Sequence, residues 1–178
     1  MIALTEDKRM LGYGVMTPYS NIFCFATTRR EGFSKGDYAS FNCTPYTGDD
    51  AESVRRNQEL LCNSMPQPPK ELVIPFQTHG TKVEVIDEKY LNATSDERTV
   101  MLQGVDALIT KEPGCCICIS TADCIPILLY DCKNQVVAAA HAGWRGTVNY
   151  IAGHTLDRMR ALYGTDGKDV IACIGPGI

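Results

Sequence analysis

The chain has 178 residues, a formal net charge of −4 and 44% hydrophobic residues, which is enough for one domain with a sizeable core. Its basic residues are scattered, and the short pairs Arg29-Arg30 and Arg55-Arg56 make no polybasic patch, which argues against nucleic acid as a partner. No run approaches the roughly 20 apolar residues that span a bilayer, and the N-terminus lacks a basic-then-apolar signal pattern, so a soluble, cytoplasmic protein with no membrane partner is expected.

Taken in chain order, the first β-rich run is 22–28, followed by a glycine-punctuated loop through Arg29-Arg30-Glu31-Gly32-Phe33-Ser34-Lys35-Gly36. Asp49 or Asp50 can cap a helix over 51–62 that turns Val54, Leu60 and Leu61 inward and Arg55, Arg56 and Glu59 outward. Pro66, Pro68 and Pro69 stop it. Strands are predicted at 72–76, 82–86, 107–110, 115–119, 127–130 and 136–140. The polar stretch 87–103 is read as a surface excursion. After His141 the apolar period changes to three and four through Val148, Ile151, Ala152, Thr155, Leu156, Met159 and Leu162, which predicts one amphipathic helix ending at Gly164. A last strand is predicted at 170–174.

The nine cysteines are odd in number and accompany no secretion signal, so they are read as reduced thiols. In Cys115-Cys116-Ile117-Cys118-Ile119 the side chains alternate faces of a buried strand, where cysteine acts as a small hydrophobe. A C-x-C on a strand is not the turn-borne C-x-x-C of zinc sites.

Three phrases carry the chemistry: Gln77-Thr78-His79-Gly80, Thr121-Ala122-Asp123-Cys124, and His141-Ala142-Gly143-Trp144-Arg145-Gly146-Thr147. Each follows a predicted strand, so three strand ends can converge on one point. Two imidazoles and a thiolate suit a borderline-soft transition ion, and three protein ligands leave a fourth position open for chemistry. The ligands lie far apart in sequence, unlike the close pairs of a zinc finger. His154, the third histidine, lies mid-helix and is assigned to its solvated face. Asp123 can orient a ligand, carry a proton from a metal-held water, or cap backbone N–H groups. The turn around Arg145 offers N–H donors and a guanidinium to an anion; the plainer reading is a tight glycine turn with Arg145 on a surface carboxylate. Trp144 can stack on a flat ligand or plug a hydrophobic gap.

In this order the phrases resemble the laccase-domain, or polyphenol oxidase-like, family, whose members include purine nucleoside phosphorylases with adenosine deaminase activity and the peptidoglycan editing factor. The resemblance also rests on Phe25-Ala26-Thr27-Thr28-Arg29 with Gly32, Ser34 and Gly36; Ser40-Phe41-Asn42; Gly48-Asp49-Asp50; Asp106-Ala107-Leu108-Ile109-Thr110; Cys124-Ile125-Pro126; and Ile174-Gly175-Pro176-Gly177-Ile178. It implies an α/β fold, a four-layer α/β/β/α sandwich with mixed β-sheets, in a single domain over 1–178. It further implies that His79, Cys124 and His141 are the catalytic zinc ligands, with Arg29, Asn42 and Arg145 contacting nucleoside or phosphate. Where the family has Asn-Arg in the first helix, this chain has Asn57-Gln58, so no basic contact is carried over there. Family members continue past Gly-Pro-Gly-Ile, so a C-terminal truncation is expected.

The leading expectation is a zinc-dependent purine nucleoside phosphorylase that also deaminates adenosine, acting on adenosine, inosine, guanosine and methylthioadenosine, with Asp123 as proton carrier. The H-x-E and P-C-x-x-C signature of the usual zinc deaminases is absent. Two rivals stand beside it: an amidase that edits a peptidoglycan precursor through zinc or a Cys124 nucleophile, and a binding module inactive through truncation. Copper is the less favoured ion, because a trinuclear copper cluster with an electron-transfer copper needs many more imidazoles than the three histidines present.

Overall fold

The computed structural model describes residues 1–178, which group into two compact units, Met1–Pro69 and Lys70–Ile178. In the first, strands β1 (Ile2–Ala3), β2 (Met10–Gly12) and β3 (Phe25–Thr27) form an antiparallel sheet in that order. Helix α1 (Ala51–Asn63) starts where Asp50 accepts the Ser53 N–H at 2.9 Å. Its inward face is Val54, Asn57 and Leu61, while Arg55 pairs with Glu52 and Glu59 on the exposed face. The amide of Asn57 is fully buried and ties the glycine-punctuated loop together. Its Oδ1 accepts from Phe33 N at 2.8 Å, and its Nδ2 donates to Ser34 Oγ at 2.9 Å and Asn42 O at 2.8 Å.

The second unit opens with β4 (Glu71–Val73) and β5 (Lys82–Val85). The polar stretch after β5 is not a plain surface excursion. It forms α2 (Glu88–Asn92), capped by Asp87, and α3 (Ser95–Met101), capped reciprocally by Thr94 and Glu97. Tyr90 and Leu102 from this stretch are buried with Val73, Ile86 and Leu108. Strands β6 (Val105–Thr110), β7 (Cys115–Ile117), β8 (Ile125–Asp131) and β9 (Val136–Ala142) follow, then α4 (Trp144–Val148), α5 (Ile151–Tyr163) and β10 (Val170–Ile174). The main sheet has the order β10-β8-β9-β6-β5 and is mixed, with β5 and β6 parallel and the other pairs antiparallel. β4 and β7 form a separate parallel pair. The fold class expected from the sequence, α/β with mixed sheets, is the one observed.

Two helices replace the single one predicted after His141. Tyr150 adopts the left-handed conformation (φ 68°) and ends α4, and its ring lies over Gly153, where any side chain would collide with it. Val148, assigned to the apolar face by periodicity, is therefore exposed. α5 packs Ile151 and Met159 onto Ala107, Ile109, Ala138 and Ala140, burial that stabilises by about 1.5–3 kcal/mol for each large side chain. It ends at Gly164 in the left-handed conformation, as predicted.

Strand alternation then decides what faces away from α5. Ala107 and Ile109 face the helix, so Asp106 and Leu108 face the opposite side. On β9, Ala140 pairs with Ala107 and Ala139 with Leu108, which places His141 on the same face as Asp106. The strand directions bring the starts of β5, β6 and β8 and the end of β9 to one edge of the sheet. That edge holds the site.

Candidate metal centre

His141 lies inside β9 rather than after it, because the strand runs two residues further than its apolar run. It is 3% exposed, and its Nδ1 is 2.8 Å from Asp106 Oδ1. A carboxylate can only accept, so Nδ1 carries the proton and Nε2 keeps its lone pair for an electrophile. Cys124 stands one residue before β8 and is half-buried. His79 is exposed, on the loop entering β5.

Asp106 is the organiser of this edge, a residue quoted in the sequence pattern without a role. It is fully buried and accepts the N–H groups of Thr78, His79 and Gly80 at 3.1, 2.9 and 2.7 Å, in addition to the His141 ring. Three successive N–H groups turned inward make an anion nest. Making it requires His79 to take the left-handed conformation (φ 60°), a strain of about 1–3 kcal/mol that the three hydrogen bonds offset. Burial pushes the Asp106 carboxyl up. The His141 hydrogen bond and the Gly80 and Thr78 N–H groups more than reverse this, and hold it below the usual carboxylate range. One carboxylate thus positions two of the three candidate ligands.

The ligand atoms of His79, Cys124 and His141 all lie within 4.8 Å of one another, and the two imidazoles meet edge to face with centroids 4.8 Å apart. Gly143 shows that the cluster encloses a space. A Cβ there would sit 2.9 Å from His79 Cδ2, 3.1 Å from Cys124 Sγ and 3.5 Å from His141 Cε1, so a side chain would intrude among the ligands. The donor set of two imidazoles and one thiolate fits a transition ion, with bonds of about 2.0–2.3 Å for zinc. The ligand atoms must draw in slightly to make them, a movement the exposed His79 ring can supply by rotation. The cluster can therefore hold a metal.

The other sequence candidates fall as follows. The Asp123 carboxylate is exposed, and its backbone carbonyl accepts the Ile178 N–H at 3.0 Å; the orienting carboxylate is Asp106. Arg145 is exposed in the first turn of α4. Trp144 is 75% exposed, which removes the hydrophobic-plug reading. In the first unit, Arg29 donates from Nε and Nη2 to Ala39 O at 3.0 and 2.8 Å, pinning its loop. Asn42 donates to Asp49 Oδ2 and Thr47 Oγ1 and accepts from Thr44 N. His154 is exposed, as predicted.

A mixed α/β protein with a His-Cys-His cluster at one sheet edge is the class that fold and site define. The family model described as multi-copper polyphenol oxidoreductase laccase matches residues 23–178, and the chain belongs to that family. It is 62% identical over 178 residues to a purine nucleoside phosphorylase of Bacteroides thetaiotaomicron, covering 100% of this chain and 66% of the relative. It is 41% identical over 154 residues to adenosine deaminase RL5 of an unknown prokaryotic organism, covering 86% and 58%. Among solved structures, YlmD from Geobacillus stearothermophilus superposes with a TM-score of 0.86 at 31% identity, over 98% of this chain and 64% of YlmD. The chain thus spans less than two thirds to about two thirds of the length of these relatives. No helix is long and apolar enough to cross a membrane.

Proposed function

We propose that the chain is the zinc-binding part of a purine nucleoside phosphorylase that also deaminates adenosine. The observation that carries this reading is the convergence of His79, Cys124 and His141 around Gly143, in a chain whose relatives bear those two names. When bound, zinc supplies a Lewis acid and brings the pKa of a coordinated water toward neutrality.

The chain's own residues do the rest. Asp106 fixes the His141 tautomer and the His79 turn, so the ligands are in place before substrate arrives. Asp123, next to Cys124 and open to solvent, moves the proton. In deamination, water replaces the purine amino group and ammonia leaves; in phosphorolysis, a phosphate oxygen attacks the sugar carbon as the bond to the base breaks. Arg145 and the N–H groups of 143–146 are the anion site for that phosphate, the Thr147 N–H being given to Gly143 O at 2.8 Å. Trp144 offers an exposed face for stacking on a purine. Arg29, which spends only Nε and Nη2 on Ala39 O and has further N–H donors, and Asn42 are the polar contacts for the nucleoside.

The test is release of free base from purine nucleosides, followed by chromatography with and without phosphate. It is run on this chain and on a longer form that matches the full length of the relatives. Phosphate-dependent release is expected. Strictly phosphate-independent release, or none from either form, overturns the reading. Arg145→Lys keeps the charge but loses the planar fork, and should weaken apparent phosphate affinity about tenfold or more, with zinc content intact.

A further inference from the structure

β7 turns Cys115 and Ile117 toward the cluster of Val73, Ile86, Tyr90, Leu102, Val105 and Leu108. By the two-residue period of a strand, Cys116 and Cys118 stand on its other face. Their sulfurs are 3.7 Å apart, with a thiol hydrogen bond between them. Neither residue is fully buried, and the metal chemistry proposed above uses neither.

A disulfide needs sulfurs about 2.05 Å apart and Cα atoms about 4.4–6.8 Å apart. Two steps along a strand span about 6.6–6.8 Å, at the long end of the Cα range, and parallel side chains set the Cβ atoms wider apart than the roughly 3.5–4.5 Å of a disulfide. Cys118 is the first residue after β7, held there by its N–H to Val73 O at 2.9 Å. Closing the sulfurs therefore asks for adjustment at a strand end, not in the packed cluster. A bond made at the long end of the range is reversible rather than structural.

We propose that Cys116 and Cys118 are a dithiol–disulfide redox site whose oxidant is a small-molecule disulfide of the glutathione type. The Cys116 thiol gives up its proton and its sulfur attacks the oxidant. The oxidant's S–S bond breaks, a mixed disulfide forms, and one glutathione leaves as thiolate and takes up a proton. Cys118 then loses its proton, attacks Cys116 Sγ and displaces the second glutathione as a thiol. Two protein thiols lose two electrons and two protons; the oxidant gains both. Either sulfur can donate in the hydrogen bond between them, and that bond holds the Cys116 thiol below its ordinary range against burial, which raises it.

The test is incubation of the full chain with oxidised glutathione, acid quenching, alkylation of remaining thiols, and mass spectrometry with fragment-ion mapping. The expected result is loss of two hydrogens per chain, no retained glutathione, and a bond mapped between Cys116 and Cys118. Cys118→Ser should instead keep one glutathione on Cys116. A bond mapped to any other pair, thiols left unmodified, or a Cys118→Ser variant that still loses two hydrogens overturns the proposal. The wild-type map decides even if the serine variant does not fold.

Discussion

In each unit a fully buried polar side chain ties together segments distant in sequence, but the two residues are of different kinds. Asn57 in the first unit and Asp106 in the second each gather three or more hydrogen bonds from segments distant in sequence. The neutral amide both donates and accepts, so it can knit N–H and C=O groups of a loop with no ionic partner. The carboxylate only accepts, and its buried charge requires donors on every side. One of those donors is an imidazole. Asn57 is a scaffold; Asp106 is a scaffold that also sets the protonation of a metal ligand.

The largest effect should follow Asp106→Asn. The amide keeps the shape but turns an NH₂ group toward N–H donors, so either Thr78 and Gly80 or His79 and the His141 ring lose their acceptor. A destabilisation of about 3–5 kcal/mol is expected by denaturant unfolding, with zinc affinity about 10–100-fold lower by competition with a chelating dye. Intact affinity would show that His79 and His141 need no common carboxylate.

Asn57→Ala should separate the two roles. It leaves the Phe33 N–H and the Asn42 carbonyl without their buried partner, at a cost of about 1–3 kcal/mol, while zinc affinity stays at the wild-type value. A matching loss of zinc would erase the distinction between the two hubs.

The smallest effect is a pH dependence at the β8–β9 turn. Asp131 is fully buried and accepts from Lys133 N, Asn134 N and Asn134 Nδ2 at 3.1, 3.0 and 2.8 Å. Burial raises its carboxyl, but the Asn134 side-chain and backbone donors and the Lys133 N–H outweigh it and set it below the ordinary range. Because the folded value is the lower one, this stabilisation is complete above the unfolded pKa of about 3.9 and is lost as pH falls through the folded value. Asp131→Asn should be about 1 kcal/mol less stable at neutral pH, with the difference shrinking below pH of about 4. A constant difference across that range would contradict the assignment.

The three ligands were legible in the sequence because a histidine or cysteine beside a glycine turn after an apolar run is a local pattern. Asp106 carries no such local pattern, because it lies just outside the apolar run that begins at Ala107. The signal was its place between Val105 and Ala107, since a charge inside a buried strand must find partners. Those partners are 26 or more residues away, beyond any spacing rule. The Thr94-x-x-Glu97 capping box is a local signal, but few apolar residues surround it to mark a helix face. The break at Tyr150 was not readable, since apolar period reports a helix face and carries no information on φ at one residue.

One metal is held by His79, Cys124 and His141 under the proposed function, and metal content per chain in protein purified without chelator tests this most directly. About one equivalent of zinc is predicted, as three protein ligands make one open site. Cys124→Ala and His141→Ala should each drop sharply, while the exposed His154→Ala keeps the wild-type value. Copper with an intense blue colour, no metal at all, or equal loss from all three variants would contradict it.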